Sequence, residues 1–368
     1  MKLLIAGGGT GGHVFPAIAI AREWLRRANE GNAQGNKGSR EVLLVGTKIG
    51  LEAKLVPPTG LPFATIRVAG LKGIGGAKLL RNLATLPASA WDSQKILSKH
   101  HFDAALGVGG YASGPMIAAA ISRRVPTLIF EPNVVPGFTN RVLAPFVTRI
   151  ATAFPGTAAK WGAKAKVTGV PVRSEFFHAP PHQTRTAPIK LNLLITGGSR
   201  GASPINNGVI RSIPALATRK NELFIVHQTG ERDYNDVRSA YANAEIHAEV
   251  RPFIENMAER FAQADLIVCR AGAITVAEIS AAGRAAIFIP FAAATDAHQF
   301  KNAQALADSG AARVLPQNEL TPEHLTSEIF AFLDEPNHLT EIESRARAFA
   351  HPHAAEEIVD LIEGMVRA

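Results

Sequence analysis

The stretch Leu3-Leu4-Ile5-Ala6-Gly7-Gly8-Gly9-Thr10-Gly11-Gly12-His13 decides the fold. An apolar run too short for a helix passes into five glycines in six positions and then into residues of helical pattern: a buried strand, a tight turn and a helix start. The same grammar continues through the first half, with strands expected at 3–7, 42–46, 63–68, 104–108, 127–131 and 149–153. Six strand–helix units of this kind make a doubly wound parallel sheet. Residues 171–188 hold four prolines and little periodicity, so 171–189 reads as a linker. Beyond it a second set of strands is expected at 191–196, 222–227, 248–253, 265–269, 285–290 and 312–315. The expected architecture is α/β, two doubly wound Rossmann-like domains (1–170 and 190–345) whose strand ends face a central cleft. Residues 346–368 are expected to pack back toward the first domain through a helix at 354–366, and 31–39 reads as a surface loop insertion.

The 368 residues are 46% hydrophobic and 19% charged without a block of like charges, which excludes a disordered chain. A lone cysteine, Cys269, can form neither an intramolecular disulfide nor a thiolate cluster and fits a reducing compartment. No apolar run approaches the ~20 residues of a membrane span, and Leu3–Ala6 is too short for a signal-peptide core. The formal charge of +8 is unevenly divided. Residues 1–170 hold 21 Lys+Arg against 7 Asp+Glu, a balance of +14, and residues 171–368 hold 18 against 24, a balance of −6. An anionic partner, whether nucleic acid, membrane surface or phosphorylated substrate, should therefore meet the first half.

Gly7, Gly9 and Gly12 satisfy the dinucleotide pattern G-x-G-x-x-G. A dinucleotide site also needs an acidic residue at the end of the second strand to hold the ribose. That strand ends in Gly46-Thr47 and Glu41 lies at its wrong end, so NAD is disfavoured. What survives is a set of backbone amides at a helix start, suited to a diphosphate or a developing oxyanion. Gly197–Ala202 holds the corresponding place in the second half but lacks Gly-Lys-Ser/Thr, which disfavours ATP hydrolysis. A third cluster runs from Gly107 to Pro115. In a fourth, Gly272 opens a helix with Glu278 about two turns in, a credible partner for ribose hydroxyls or else a solvated helix carboxylate.

Together and in order, GGGTGGHVFPAIAIA (7–21), GVGGYASGP (107–115), EPNVVPGFTNR (131–141), TGVPVR (168–173), TGGSRGA (196–202), CRAGAITVAE (269–278) and DAHQFKNA (296–303) resemble the GT-B glycosyltransferases of peptidoglycan synthesis, glycosyltransferase family 28. The resemblance covers the whole chain. It implies inverting transfer of N-acetylglucosamine from UDP-N-acetylglucosamine to the 4-hydroxyl of the muramoyl-pentapeptide on undecaprenyl diphosphate (lipid I), forming lipid II at the cytoplasmic face of the membrane by a peripheral protein. It also implies donor contacts from Thr10, Gly11, Gly12, Asn133, Arg173, Ser199, the amide of Ile254, the helix start Ala273, Ile274, Thr275, Val276, Ala277 and Glu278, and Gln299. Glu278 would hold the ribose, while Gly109, Gly110 and Tyr111 would belong to an acceptor or diphosphate loop. The chain departs from the family at Arg200 and Pro132, where glutamine is usual.

Inversion by one in-line displacement needs a base for the acceptor hydroxyl and positive potential for the departing UDP. His13 is the first candidate base, its alternative role being to position acceptor or diphosphate; Glu131 is the second, its alternative being a structural strand-end carboxylate. Leaving-group charge would be met at helix N-termini near Gly272 and Ser199, helped by Arg173. The chain has no Asp-x-Asp pair, and His298, His351 and His353 lack metal-spaced partners, so neither a metal nor a cofactor beyond the donor substrate is expected. In residues 71–86, Ile74, Leu79, Leu80 and Leu83 interleave with Lys72, Lys78 and Arg81, a pattern for binding an anionic membrane surface. Its alternative is an amphipathic helix with leucines on the core. Other cell-wall synthesis proteins are further expected partners. The rivals are a GT-B glycolipid synthase acting on diacylglycerol, a UDP-N-acetylglucosamine 2-epimerase and, weakest, a nucleic-acid-binding protein, since aromatics make up only 7% and no Lys/Arg tract occurs.

Overall fold

The structure, a computed structural model, describes residues 1–33, 39–68, 85–180, 190–294 and 297–367. The first sheet has seven parallel strands: β1 (Lys2–Gly7), β2 (Glu41–Gly46), β3 (Phe63–Thr65), β4 (Ala104–Gly109), β5 (Thr127–Glu131), β6 (Arg149–Thr152) and β7 (Ala165–Val167). Their order is β3-β2-β1-β4-β5-β6-β7, so the direction of winding reverses between β1 and β4. Leu3 to Ala6 and Leu128 to Phe130 are at most 1% exposed because helices cover both faces, which is why these strands read as unbroken apolar runs. The second sheet is also parallel, with β8 (Leu191–Thr196), β9 (Leu223–Gln228), β10 (Ala248–Arg251), β11 (Leu266–Cys269), β12 (Ala285–Phe288) and β13 (Arg313–Val314) in the order β10-β9-β8-β11-β12-β13.

The two sheets share a fine detail. The Lys2 amide donates to Asp103 Oδ2 (2.6 Å), and the Asn192 amide donates to Asp265 Oδ2 (2.7 Å). Each aspartate directly precedes the central strand that pairs with the opening strand of its own sheet, fixing the register there.

Several expectations change. β3 stops at Thr65 rather than 68, because the Arg67 amide turns away to Asp92 Oδ2 (2.9 Å). β7 was not foreseen: three residues, Ala-Lys-Val, at a sheet edge are too few to show a period. The segment expected as a linker also differs. The chain forms two compact units, Met1–Pro171 with His353–Ala368, and Val172–Pro352. Residues 172–180 belong to the second unit, where Phe176 is fully buried and packs edge-on against Phe261 at 5.1 Å. Residues 181–189 lie outside the described residues, as do 34–38 of the expected loop insertion, into which the helix Gly11–Ala33 runs.

The return to the first unit begins at His353 rather than 346, since the helix Asn337–Arg347 ends with Arg347 Nη2 bonded to Ala179 O and Ala282 O within the second unit. The last helix, Ala354–Arg367, packs its buried Ile358, Val359 and Ile362 in the first unit, and its acidic face meets Arg27 (to Asp360, 2.7 Å) and Arg40 (to Glu363, 2.7 Å). This helix brings four acidic residues and one basic residue, so the balances become +11 for the first unit and −3 for the second. The basic character of the first unit survives this neutralisation. Among the described residues no helix is long and apolar enough to cross a membrane.

Candidate functional site

In the first unit, β1, β4 and β5 are neighbours, so the loops after them open at one end of the sheet. The β1–β4 register slips after Ala6↔Gly107, Gly7 pairing with Gly109, and the two glycine loops touch backbone to backbone. The Gly8 amide donates to Gly109 O (3.2 Å), and a Cβ on Gly110 would lie 2.0 Å from Gly8 O. Only glycine permits this approach. The helix Gly11–Ala33 starts directly behind, with Thr10 O receiving the amides of His13 and Val14, so Thr10, Gly11, Gly12 and His13 form one exposed or half-exposed edge. His13 Nδ1 lies 3.1 Å from Gly8 O and 3.2 Å from Thr10 Oγ1. A carbonyl only accepts, so Nδ1 carries the proton and Nε2 keeps the lone pair. Gly109 stands beside this ring, where a Cβ would come within 2.8 Å of Nε2, Gly110 lies against Gly8, and Tyr111 next in the chain is exposed.

Glu131 is not placed as a second base. At 1% exposure, its Oε1 accepts from the Asn133 amide (3.0 Å) and Nδ2 (3.1 Å), and its Oε2 from the Gly137 amide (2.8 Å) and Asn140 Nδ2 (2.9 Å). Burial pushes its carboxyl above the ordinary range, against four N–H donors that favour the anion. Both oxygens are saturated by the protein, so Glu131 shapes the 132–137 turn that carries Asn133. This is the structural alternative of the sequence reading.

In the second unit, the loops after β8, β10, β11 and β12 present the expected donor residues. The helix after β11, Ala273–Ala282, has Gly272 as N-cap with no side-chain cap. The amides of Ala273, Ile274 and Thr275 precede the first intrahelical bond, Val276 N to Gly272 O, and are free to meet an anion. Val276 is buried and its amide is used by that bond, while Ala277 behind it is half-buried. Glu278 is half-buried; burial raises its carboxyl to about 7, partly opposed by the guanidinium of exposed Arg173. Ser199 is exposed in the glycine loop, but the helix behind it begins only at Ser203, so no helix start coincides with Ser199. The Ile254 amide donates to Gln228 Oε1 (2.8 Å), an internal carboxamide in the place expected for a base edge. Gln299 Oε1 accepts from the Phe291 amide (3.0 Å) and so fixes the turn after β12.

Lys72, Ile74, Lys78, Leu79, Leu80, Arg81 and Leu83 lie outside the described residues. Among those described, no group of three or more His, Cys, Asp or Glu is arranged to hold a metal ion. Sequence reasoning missed Glu52, Asn140 and Gln228, whose roles are set by long-range contacts that no local spacing signals.

Residues 3–152 match the glycosyltransferase family 28 N-terminal domain and residues 192–358 its C-terminal domain. A protein of Syntrophus aciditrophicus (strain SB), named UDP-N-acetylglucosamine--N-acetylmuramyl-(pentapeptide) pyrophosphoryl-undecaprenol N-acetylglucosamine transferase, is 42% identical over 100% of this chain and 99% of its own. One of the same name from Anaeromyxobacter sp. (strain Fw109-5) is 43% identical over 100% and 94%. The crystal structure of Acinetobacter baumannii MurG is similar with a TM-score of 0.78 and 35% identity, covering 99% of each chain.

Proposed function

Because the chain belongs to glycosyltransferase family 28, with the family's two domains in order, we propose that it transfers N-acetylglucosamine from UDP-N-acetylglucosamine to lipid I, forming lipid II. The observation that carries this reading is full-length likeness, above 40% identity, to relatives named for this reaction. It outweighs the diacylglycerol and epimerase alternatives. The first unit takes the acceptor, with His13 Nε2 as the base that receives the 4-hydroxyl proton as that oxygen attacks the anomeric carbon and UDP departs. The second unit takes the donor: first-turn amides of Ala273, Ile274 and Thr275 and the Arg173 guanidinium meet the diphosphate, and Glu278 accepts from the ribose hydroxyls. The reaction runs without a metal or other cofactor, so activity persists in chelator. Radiolabelled UDP-N-acetylglucosamine supplied with a lipid I analogue should deliver label to the lipid phase, with diacylglycerol and DNA as inactive controls; label retained in the aqueous phase would overturn the proposal.

Donor binding should depend on pH through Glu278. Its ionised form accepts two hydroxyls, and with a carboxyl near 7 that form is the majority at pH 8 and about a tenth at pH 6. The dissociation constant of UDP-N-acetylglucosamine therefore rises about tenfold from pH 8 to pH 6. Glu278→Gln should flatten that dependence in calorimetric titrations; an unchanged slope removes Glu278 from the site.

The enzyme works peripherally at the cytoplasmic membrane surface, where the acceptor lipid resides and cell-wall synthesis partners would be met. The net +11 of the first unit and the Lys72, Lys78 and Arg81 segment support this. At ~1 kcal/mol per interfacial charge, reversing all three should weaken binding to anionic vesicles at least tenfold, while turnover of a short-chain soluble acceptor stays within twofold. Unchanged vesicle binding would exclude this segment as the contact.

A further inference from the structure

Glu52 is a buried carboxylate that the reaction as described does not use. It is 2% exposed, in the short helix Glu52–Leu55. Its Oε1 accepts from the Thr47 amide and hydroxyl (both 2.8 Å), and its Oε2 accepts from the Gly9 amide (2.7 Å). Thr47 Oγ1 in turn accepts from the Gly50 amide (2.9 Å). Burial raises its carboxyl, but the amides of Gly9, Glu52 itself and Thr47, with the Thr47 hydroxyl, outweigh burial and hold it below the ordinary range. Glu52 is therefore an anion at neutral pH. A Cβ on Gly8, Gly46 or Gly50 would lie 2.2–2.4 Å from its side chain, so three glycines wall the carboxylate in.

The Gly9 amide and the Gly8 carbonyl are the two ends of one peptide group. Glu52 Oε2 binds its N–H end, and His13 Nδ1 binds its carbonyl end at 3.1 Å. We infer that Glu52 is a positioning residue for His13, acting through the Gly8–Gly9 peptide: carboxylate, peptide and imidazole form one hydrogen-bonded line. An anion on the N–H of an amide increases the negative charge on its carbonyl oxygen, because the two are conjugated. The strengthened carbonyl holds the Nδ1–H tautomer, leaves the lone pair on Nε2, and stabilises the imidazolium that forms when Nε2 takes a proton. No proton crosses the peptide; the carboxylate orients and polarises, as the aspartate does when it contacts a catalytic histidine directly. The inference rests on His13 being the base, but the link from Glu52 to the His13 tautomer does not.

The test uses Glu52→Gln in the full chain. Gln keeps the size of the side chain but has one accepting oxygen where the site presents donors from both Gly9 and Thr47. Nitrogen-15 imidazole spectra should show a single Nδ1–H tautomer of His13 in the parent and a tautomer mixture in the variant. Turnover should fall about tenfold with the KM for UDP-N-acetylglucosamine within threefold. The acid limb of the kcat profile should move to lower pH, because loss of the negative charge weakens the imidazolium. Glu52→Asp, which retains the charge, should keep the acid limb in place even if turnover falls. In a His13→Ala background Glu52→Gln should have no further effect on kcat beyond twofold. An unchanged tautomer in Glu52→Gln, or an equal loss in the His13→Ala background, would overturn the inference. If the tautomer shifts while His13→Ala turns over normally, the base reading fails and the Glu52 linkage stands.

Discussion

His13→Ala lowers kcat by on the order of a hundredfold to a thousandfold, the span expected for a positioned general base, while the KM for UDP-N-acetylglucosamine changes less than threefold. The expectation follows from the ring's two ends. Nδ1 lies 3.1 Å from Gly8 O and 3.2 Å from Thr10 Oγ1, so the ring's other nitrogen, Nε2, is the one turned toward Gly109, where a Cβ would come within 2.8 Å of it. Two substitutions separate a base from a group that only shapes the loop. His13→Asn retains an N–H donor for Gly8 O at nearly the Nδ1 position but has no basic nitrogen; His13→Ala has neither. A base requires both variants to lose turnover alike. Turnover of His13→Asn within threefold of the parent, measured on the short-chain acceptor under saturating donor, would assign His13 to positioning alone.

The sequence was legible where chemistry is local. Apolar runs marked the central strands, those of β1, β4 and β8 leading into glycine, because residues covered on both faces cannot alternate. The first-turn amides at Ala273–Thr275 were also legible, since a glycine followed by helix formers after an apolar run leaves little else for those amides to do. Residues whose role depends on a partner distant in sequence were not. Glu52 sits in Gly-Leu-Glu-Ala-Lys-Leu, which reads as an ordinary short helix, and only the fold brings Gly9 to it across 43 positions. Glu131 reads from the sequence as a second candidate base, with a structural strand-end carboxylate as its alternative, and the four donors that decide between them come from a turn and the short helix after it, whose path no spacing predicts. The charge division needed the fold too: the most acidic helix lies at the end of the chain, yet its acids are spent on the basic first unit.

Arg284→Met destabilises the second unit by about 3–5 kcal/mol, the cost of removing one partner from a buried charge cluster. Arg284 has no exposed surface. Its Nε donates to Phe261 O (3.0 Å), its Nη2 to Ala262 O (2.6 Å) and Pro180 O (2.9 Å), and its Nη1 stands 3.8 Å from the buried carboxylate of Glu343. Phe261 and Ala262 lie in the last turn of the helix Met257–Gln263, whose terminal carbonyls have no intrahelical donor. A methionine fills the volume but supplies no N–H, leaving three carbonyls and a carboxylate poorly satisfied. For a unit of this size the melting transition should fall by roughly 10 °C. Arg284→Lys should recover part of it, since one ammonium carries the charge but lacks the planar fork. Adding Glu343→Leu to Arg284→Met should also recover part, by removing a buried carboxylate that has lost the guanidinium beside it. A loss under 1 kcal/mol for Arg284→Met would show that the cluster is not a structural keystone. The bond to Pro180 O gives the variant a second readout, because it fastens residues 172–180, and Arg173 with them, to the second unit. Donor affinity of the still-folded variant should fall at temperatures well below its transition, and it should fall more than in Phe176→Leu, which trims the same segment without removing its hydrogen bonds.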